Sequence, residues 1–272
     1  MTKKTFIFII TVFCLFSITS VAFSQEKTIS HSRELWSGLY TKYRISEKMF
    51  YYGEYHYRRR DDFVNEMAQV YLRFGLTRLV NKNLEITAGV VTPIYYAPKS
   101  QVNNPSINID ETYMQFRLWQ QVVLVQPFNR LKLYHQFRTE QRWRRPNYEV
   151  GSPYNMDWRF RYRITGYYPL NGRKLIPTTL FLSFYEEIFI QAGKKITYDH
   201  FEDNRAFLGL GYILNDNVQV QAGYLWSFRY NGGPTQFQHR HIPKISIYHN
   251  LDFYGNKQRK KRMKPLILND NL

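Results

Sequence analysis

From residue 33 to residue 253 the chain alternates, with apolar or aromatic side chains at every second position, polar or charged ones between, and no segment repeating at helical spacing. Residues 66–78 carry Ala68, Val70, Leu72, Phe74 and Leu76 in one set and Gln69, Tyr71, Arg73, Gly75 and Thr77 in the other. Residues 157–164 set Arg159, Arg161 and Arg163 between Trp158, Phe160, Tyr162 and Ile164. Successive side chains of an extended strand point to opposite faces, so these segments are greasy on one side and wet or cationic on the other. Two environments accept such a ribbon. A nucleic-acid-binding sheet would place phosphates on the arginines and bases on the rings. A membrane barrel would place lipid on the rings and a wet lumen on the arginines.

A formal charge of +17 speaks first for the nucleic-acid reading. The amino terminus speaks against it. Lys3 and Lys4 precede an apolar run from Phe6 to Phe16, followed by Ala22-Phe23-Ser24, the layout of an export signal cleaved before Gln25. A retained anchor helix is the alternative, but the apolar run is short for one. Cys14, the single cysteine, lies inside that signal, so a chain starting at Gln25 has neither disulfides nor thiolate metal ligands. After residue 24 no run approaches the ~20 apolar residues a membrane helix needs. Aromatics nevertheless make up 18% of the chain, with 23 Tyr and 20 Phe. An exported, ring-rich chain without cysteine fits an all-β, antiparallel transmembrane β-barrel in the cell outer membrane, where only alternate residues meet lipid.

The expected organisation is a cleaved signal at 1–24, a barrel at 25–255 and a basic tail at 256–272. The tail carries Lys257, Arg259, Lys260, Lys261, Arg262 and Lys264 and reads as a solvated, disordered periplasmic end. Strands are expected at 33–44, 49–60, 66–79, 83–96, 110–125, 130–145, 157–168, 178–190, 203–213, 217–229 and 239–253. Short connections (45–48, 80–83, 126–129, 169–177, 214–217) alternate with longer ones rich in Pro, Asn and Gly (61–65, 97–109, 146–156, 191–202, 230–238). Short periplasmic turns facing longer outer loops give the same pattern. Bacterial single-chain barrels normally have an even strand number, so the expectation is about 12, with 10 as the fallback, and Gln25–Ser32 either adding a short strand or crossing the lumen.

The runs "HQFRTEQRWRR" (135–145), "DWRFRYRITGYYPL" (157–170), "FLSFYEEIFI" (181–190) and "DNRAFLGLGYILNDNVQVQAGYLW" (203–226), with the opening "ELWSGLYTKYRISEKMFYYGEYHYR", resemble a family of bacterial outer-membrane proteins known only as a domain of unknown function. The resemblance implies an outer-membrane barrel and carries over no substrate, activity or catalytic residue.

Pairing the strands makes the expected lumen concrete. If loop 145–156 joins its strands symmetrically, Glu140 faces Arg161, Arg144 faces Asp157 and Arg142 faces Arg159. The turn at 126–129 would set Glu111 opposite Arg144 and Arg117 opposite Arg138. Arginine exceeds carboxylate on this wall, so Arg117, Arg138, Arg142, Arg159 and Arg163 need Glu54, Glu187 or an external anion. A rigid ladder of salt bridges and tyrosines is one outcome, and a narrow anion-attracting pore is the other. A phosphorylated lipid or sugar would also suit guanidinium forks.

A lipid-modifying enzyme of phospholipase or acyltransferase type is the alternative function. Its only candidate is His135, outward among Leu131, Leu133 and Phe137, with Gln120 opposite and no serine beside it. No residue is assigned a catalytic role. His239 and His241 lie at i and i+2 without an acidic partner, a weak metal motif, and no metal site is assigned. Gly209 and Gly211 read as strand glycines that relieve crowding or curve the sheet. No cofactor fingerprint occurs. The expected partners are outer-membrane lipid and lipopolysaccharide, the barrel-assembly machinery and an anionic small solute, with no nucleic acid.

Overall fold

A computed structural model describes residues 26–255. The expected signal at 1–24 and the basic tail at 256–272 lie outside them. The strands are β1 (Thr28–Arg44), β2 (Met49–Arg60), β3 (Glu66–Asn81), β4 (Leu84–Tyr96), β5 (Thr112–Met114), β6 (Phe116–Pro127), β7 (Lys132–Arg144), β8 (Asn155–Pro169), β9 (Leu180–Ala192), β10 (Phe201–Ile213), β11 (Val218–Tyr230) and β12 (Gln236–Asp252). A single helical turn, Lys99–Val102, sits in the loop after β4.

The all-β barrel closes, and it does so with eleven staves. β3 pairs with β4 and β1 with β12, while the short β5 only extends the end of β4. Twelve strands therefore form, and the expected even count of staves does not. An odd number of up-and-down staves leaves the first and last running the same way, so the closing pair must be parallel. β1 and β12 pair in parallel from Thr28↔Gln236 to Arg44↔Asp252, whereas the other stave pairs are antiparallel. Residues 28–32 neither cross the lumen nor form a separate strand; they lengthen β1. The same parity places Thr28 at the end of the barrel with the longer connections (the loop end) and Asp252 at the opposite, turn end.

Side chains sort as the alternation predicts, and the sides are inverted relative to a water-soluble domain. Arg73, Arg117 and Arg142 are 1% exposed and Glu140 is 0%, whereas Phe137 is 55%, Leu208 59% and Phe160 42% exposed. Two inward glycine pairs let the wall bend. Gly75 faces Gly89 and Gly209 faces Gly223, and a Cβ at Gly89 would come within 1.9 Å of the Phe74 carbonyl oxygen. Trp119 lies over the first pair, its indole N–H donating to the carbonyls of Phe74 and Val90 at 3.2 Å each.

The turn end of the bore is filled with apolar side chains. Phe50, Leu79, Val125, Tyr134, Tyr167, Phe181 and Ile213 converge from seven staves. Leu175, 1% exposed, folds in among them from the β8–β9 connection. That connection is pinned beneath the barrel: the Arg130 guanidinium donates to the carbonyls of Pro169 and Gly172 at 2.8 and 2.9 Å, and the Thr178 N–H donates to the Ile213 carbonyl at 2.8 Å.

Candidate functional site

Above this plug the bore is charged. Alternation on β7 and β8 aims Arg138, Glu140, Arg142, Asp157, Arg159, Arg161 and Arg163 inward. Ladder partners there are like-charged in two rows, Arg117↔Arg142 and Arg138↔Arg161. Carboxylates from other staves relieve the repulsion. Glu140 accepts from Arg73 at 2.9 Å, Arg117 at 3.0 Å, Arg161 at 2.8 Å and Arg159 at 3.5 Å. Glu54 on β2 reaches Arg73 at 2.9 Å and, across the bore, Arg138 at 3.0 Å, and it accepts the Tyr52 hydroxyl. Glu202 on β10 binds Arg142 at 2.7 Å and Arg159, and Glu187 binds Arg161 at 2.7 Å. These contacts join β2, β3, β6, β7, β8, β9 and β10 through the interior, and four of them, Glu140–Arg73, Glu54–Arg138, Glu202–Arg142 and Glu202–Arg159, are cross-braces between staves that are not neighbours. Removing one member would leave buried charge uncompensated, which is the costly case for an interior ion pair.

Of the residues singled out from the alternation, Arg117, Arg138, Glu140, Arg142, Asp157, Arg159, Arg161 and Arg163 point into the bore, and Arg144 binds Asp157 at 2.5 Å near its rim. Glu111 does not join them. It is exposed in the loop before β5, where its carbonyl accepts the Ala97 N–H at 2.8 Å.

The expected row pairs are also displaced. β8 begins at Asn155, which faces Arg144, so Glu140 faces Arg159 and Arg142 faces Asp157. The turn after β6 spans 128–131, closed by the Phe128 N–H on the Leu131 carbonyl at 2.8 Å, so Arg117 faces Arg142 and not Arg138. Both slips are even in length. An even slip keeps each side chain on its own face, which is why the lumen assignment survives while the rows do not.

Glu202 falls in the expected connection 191–202, but β10 begins at Phe201 and a bulge between Phe201 and Asp203 turns both Glu202 and Asp203 inward. Arg58, Arg205 and Arg240 stand on inward faces too, but only the closed barrel shows that they meet.

Outside the barrel, His135 faces Leu124 and Ile164 rather than Gln120. Its Nδ1 lies 2.9 Å from the Tyr162 hydroxyl and its Nε2 3.2 Å from Gln126. Thr139 instead donates to Gln120 at 2.8 Å. Both ring nitrogens of His135 are thus engaged, by a tyrosine hydroxyl and a glutamine amide and by neither a serine nor a threonine. His239 and His241 sit in an outward ring-rich belt with Trp226, Phe228, Tyr224 and His31. Among the described residues no group of three or more His, Cys, Asp or Glu is arranged to hold a metal.

Among the described residues the bore holds two adjoining chambers. One of about 180 Å³ reaches from Arg163 and Lys244 up to the exposed Arg229 at the loop end. Its wall carries twelve cationic side chains against five carboxylates, so its field attracts anions. The second, about 80 Å³, lies toward the plug among Tyr, Thr and Gln side chains, with the Lys42–Glu85 pair. Tyr40, Arg163, Tyr185 and Lys244 border both.

A family model described as "Protein of unknown function (DUF2490)" matches residues 33–238. No curated protein matches the chain.

Proposed function

The chain belongs to the DUF2490 family of proteins of unknown function, and on that premise we propose that it is an outer-membrane barrel, closed at its turn end, that presents an arginine-lined vestibule to anions at its loop end. The observation that carries this reading is the inversion of sides, with ionised groups buried in the bore and large apolar groups exposed around it. Such a surface is unfavourable in water over so wide an area and matches hydrocarbon. Closure leaves the eleven staves without an unpaired edge along the wall, as a spanning sheet requires. Rings gather outside at both levels: Trp226, Phe228 and Phe237 near the loop end, and Tyr43, Tyr51 and Phe253 near the turn end. Girdles of aromatic residues mark both interfaces of outer-membrane barrels.

The plug separates this reading from a diffusion pore. Phe50 and Phe181 are 0% exposed and Leu175 1%, and this packed apolar end is what supports a sealed barrel. Fractionation of cells is expected to leave the protein in the washed outer membrane, and recovery in the detergent-free soluble fraction would refute the membrane assignment. In planar bilayers the purified barrel is expected to give no current above the lipid background. A steady anion-selective current would replace the sealed barrel with a pore. Single cysteines at Asn103, in a long loop, and at Lys82, in a short turn, test orientation: an impermeant thiol reagent on whole cells should label the first and spare the second.

A further inference from the structure

Three arginines from three staves meet one indole near the rim of the vestibule. The guanidinium carbons of Arg58 (β2), Arg205 (β10) and Arg240 (β12) lie 3.7, 5.1 and 5.4 Å from the Trp36 ring centroid. Like charges do not gather so closely without compensation, and the compensation present is partial. Asp203 takes Arg205 at 2.6 Å and Arg240 at 2.8 Å. Glu34 lies 3.7 Å from Arg240 and already accepts the Trp36 indole N–H at 2.7 Å. Among the described residues Arg58 has no carboxylate within salt-bridge distance. Its guanidinium donates to Gln69 at 2.9 Å and lies 3.3 Å from His56 Nδ1, and its Nε is buried without a partner.

The surroundings add to the surplus. Arg229 stands opposite Asp203 in the ladder. Arg163 and Lys244 at the floor also form no ion pair among the described residues: Arg163 is held by Gln136 at 2.6 Å, and Lys244 contacts the Tyr185 hydroxyl at 3.3 Å and lies over the rings of Tyr40, Tyr185 and Phe207. These polar contacts are all neutral, so they satisfy geometry without cancelling charge.

We infer that this trio is the binding site for a phosphate monoester dianion, a deepening that rests on the vestibule reading above. Planar guanidinium forks match the oxygens of a phosphate, and several forks around one centre favour a doubly charged tetrahedral oxyanion over a single carboxylate. Trp36 supplies the platform on which the forks stack, holding them in place before the anion arrives. Size narrows the class. The chamber of about 180 Å³ is below the ~300–1,000 Å³ of pockets that engulf a whole drug-sized ligand. It accommodates the phosphate and its first attached atoms, while the rest of the ligand extends toward Arg229 and the loops. The same phosphate chemistry has two sources, a soluble metabolite or a lipid headgroup presented at the rim.

Calorimetric titration of the folded full chain in non-ionic detergent, with inorganic phosphate, glycerol 3-phosphate and a short-chain phosphatidic acid as separate probes, tests the inference. Saturable binding of one equivalent, weakened by added salt, is expected with at least one of them. Binding by glycerol 3-phosphate identifies a soluble monoester as the source; binding by phosphatidic acid alone identifies a headgroup. Arg58→Gln should weaken binding about tenfold or more, the loss of one charge-assisted contact, while Arg58→Lys retains part of it and Arg33→Gln, outside the barrel, changes nothing. The folded state of each variant is read from the heat-dependent shift of its band on gels. Absence of saturable binding with all three probes, or unchanged affinity in folded Arg58→Gln, overturns the site. The bilayer experiment is independent: a barrel that conducts and still binds phosphate would fail only the sealed reading, and one that neither conducts nor binds would fail only this one.

Discussion

The two ends of the bore are filled by opposite chemistries. At the turn end, Phe50, Leu79, Val125, Phe181, Ile213 and Leu175 pack as a conventional apolar core. At mid-height and toward the loops, Glu54, Glu140, Glu187 and Glu202 tie together a ring of arginines. Apolar packing is non-directional, and a truncated side chain costs what its volume and the residual cavity cost. An ionic brace is directional and collective: each carboxylate serves several cations, so one deletion unbalances them together. The apolar end can therefore be tight and closed. The ionic end retains space, because charges that must stay partly hydrated or paired cannot interdigitate like methyl groups, and that space is the vestibule.

This contrast can be tested by substitution, with unfolding in lipid vesicles followed by denaturant titration. Glu140→Gln strips four arginines of a shared carboxylate and is expected to have the largest effect, about 3–5 kcal/mol of lost stability. A loss below ~1 kcal/mol would mean that the bore is far wetter than its burial indicates. Leu175→Ala in the plug should cost less, roughly 2–3 kcal/mol, the lower part of the range for a buried leucine. It should also leave the bilayer silent, and the appearance of current would assign Leu175 alone the role of gate.

Arg58→Gln is expected to stay within about 1 kcal/mol of the parent, since the stacking lost over Trp36 is offset by removing a cation without a carboxylate. If it proved as damaging as Glu140→Gln, the vestibule would belong to the brace and not to a ligand. Arg33→Ala, which breaks an ion pair whose two side chains are 63% and 64% exposed, should change stability by less than about 0.5 kcal/mol.

How far the site could be read in advance differs residue by residue. Arg159, Arg161 and Arg163 were legible as lumen residues because strand periodicity is an all-or-none property of face. Their partners were not. Glu140 pairs with Arg73 from three staves away, and nothing local in either strand points to the other. Glu111 lost its assigned place because the chain leaves the wall between Tyr96 and Thr112, a path for which the alternation carries no signal. Glu202 gained one because β10 starts at Phe201, inside the expected connection 191–202, and a bulge there turns it inward.

Alternation and the scarcity of long apolar runs were enough to specify an all-β chain with one greasy and one wet face, since each of these is a property of neighbouring residues. The closing of eleven staves through a parallel seam, the slip of two strand pairs by an even number of residues and the inward fold of Leu175 belong to the assembled barrel alone. They depend on which distant strands become neighbours around a closed ring, and no local pattern encodes a circumference.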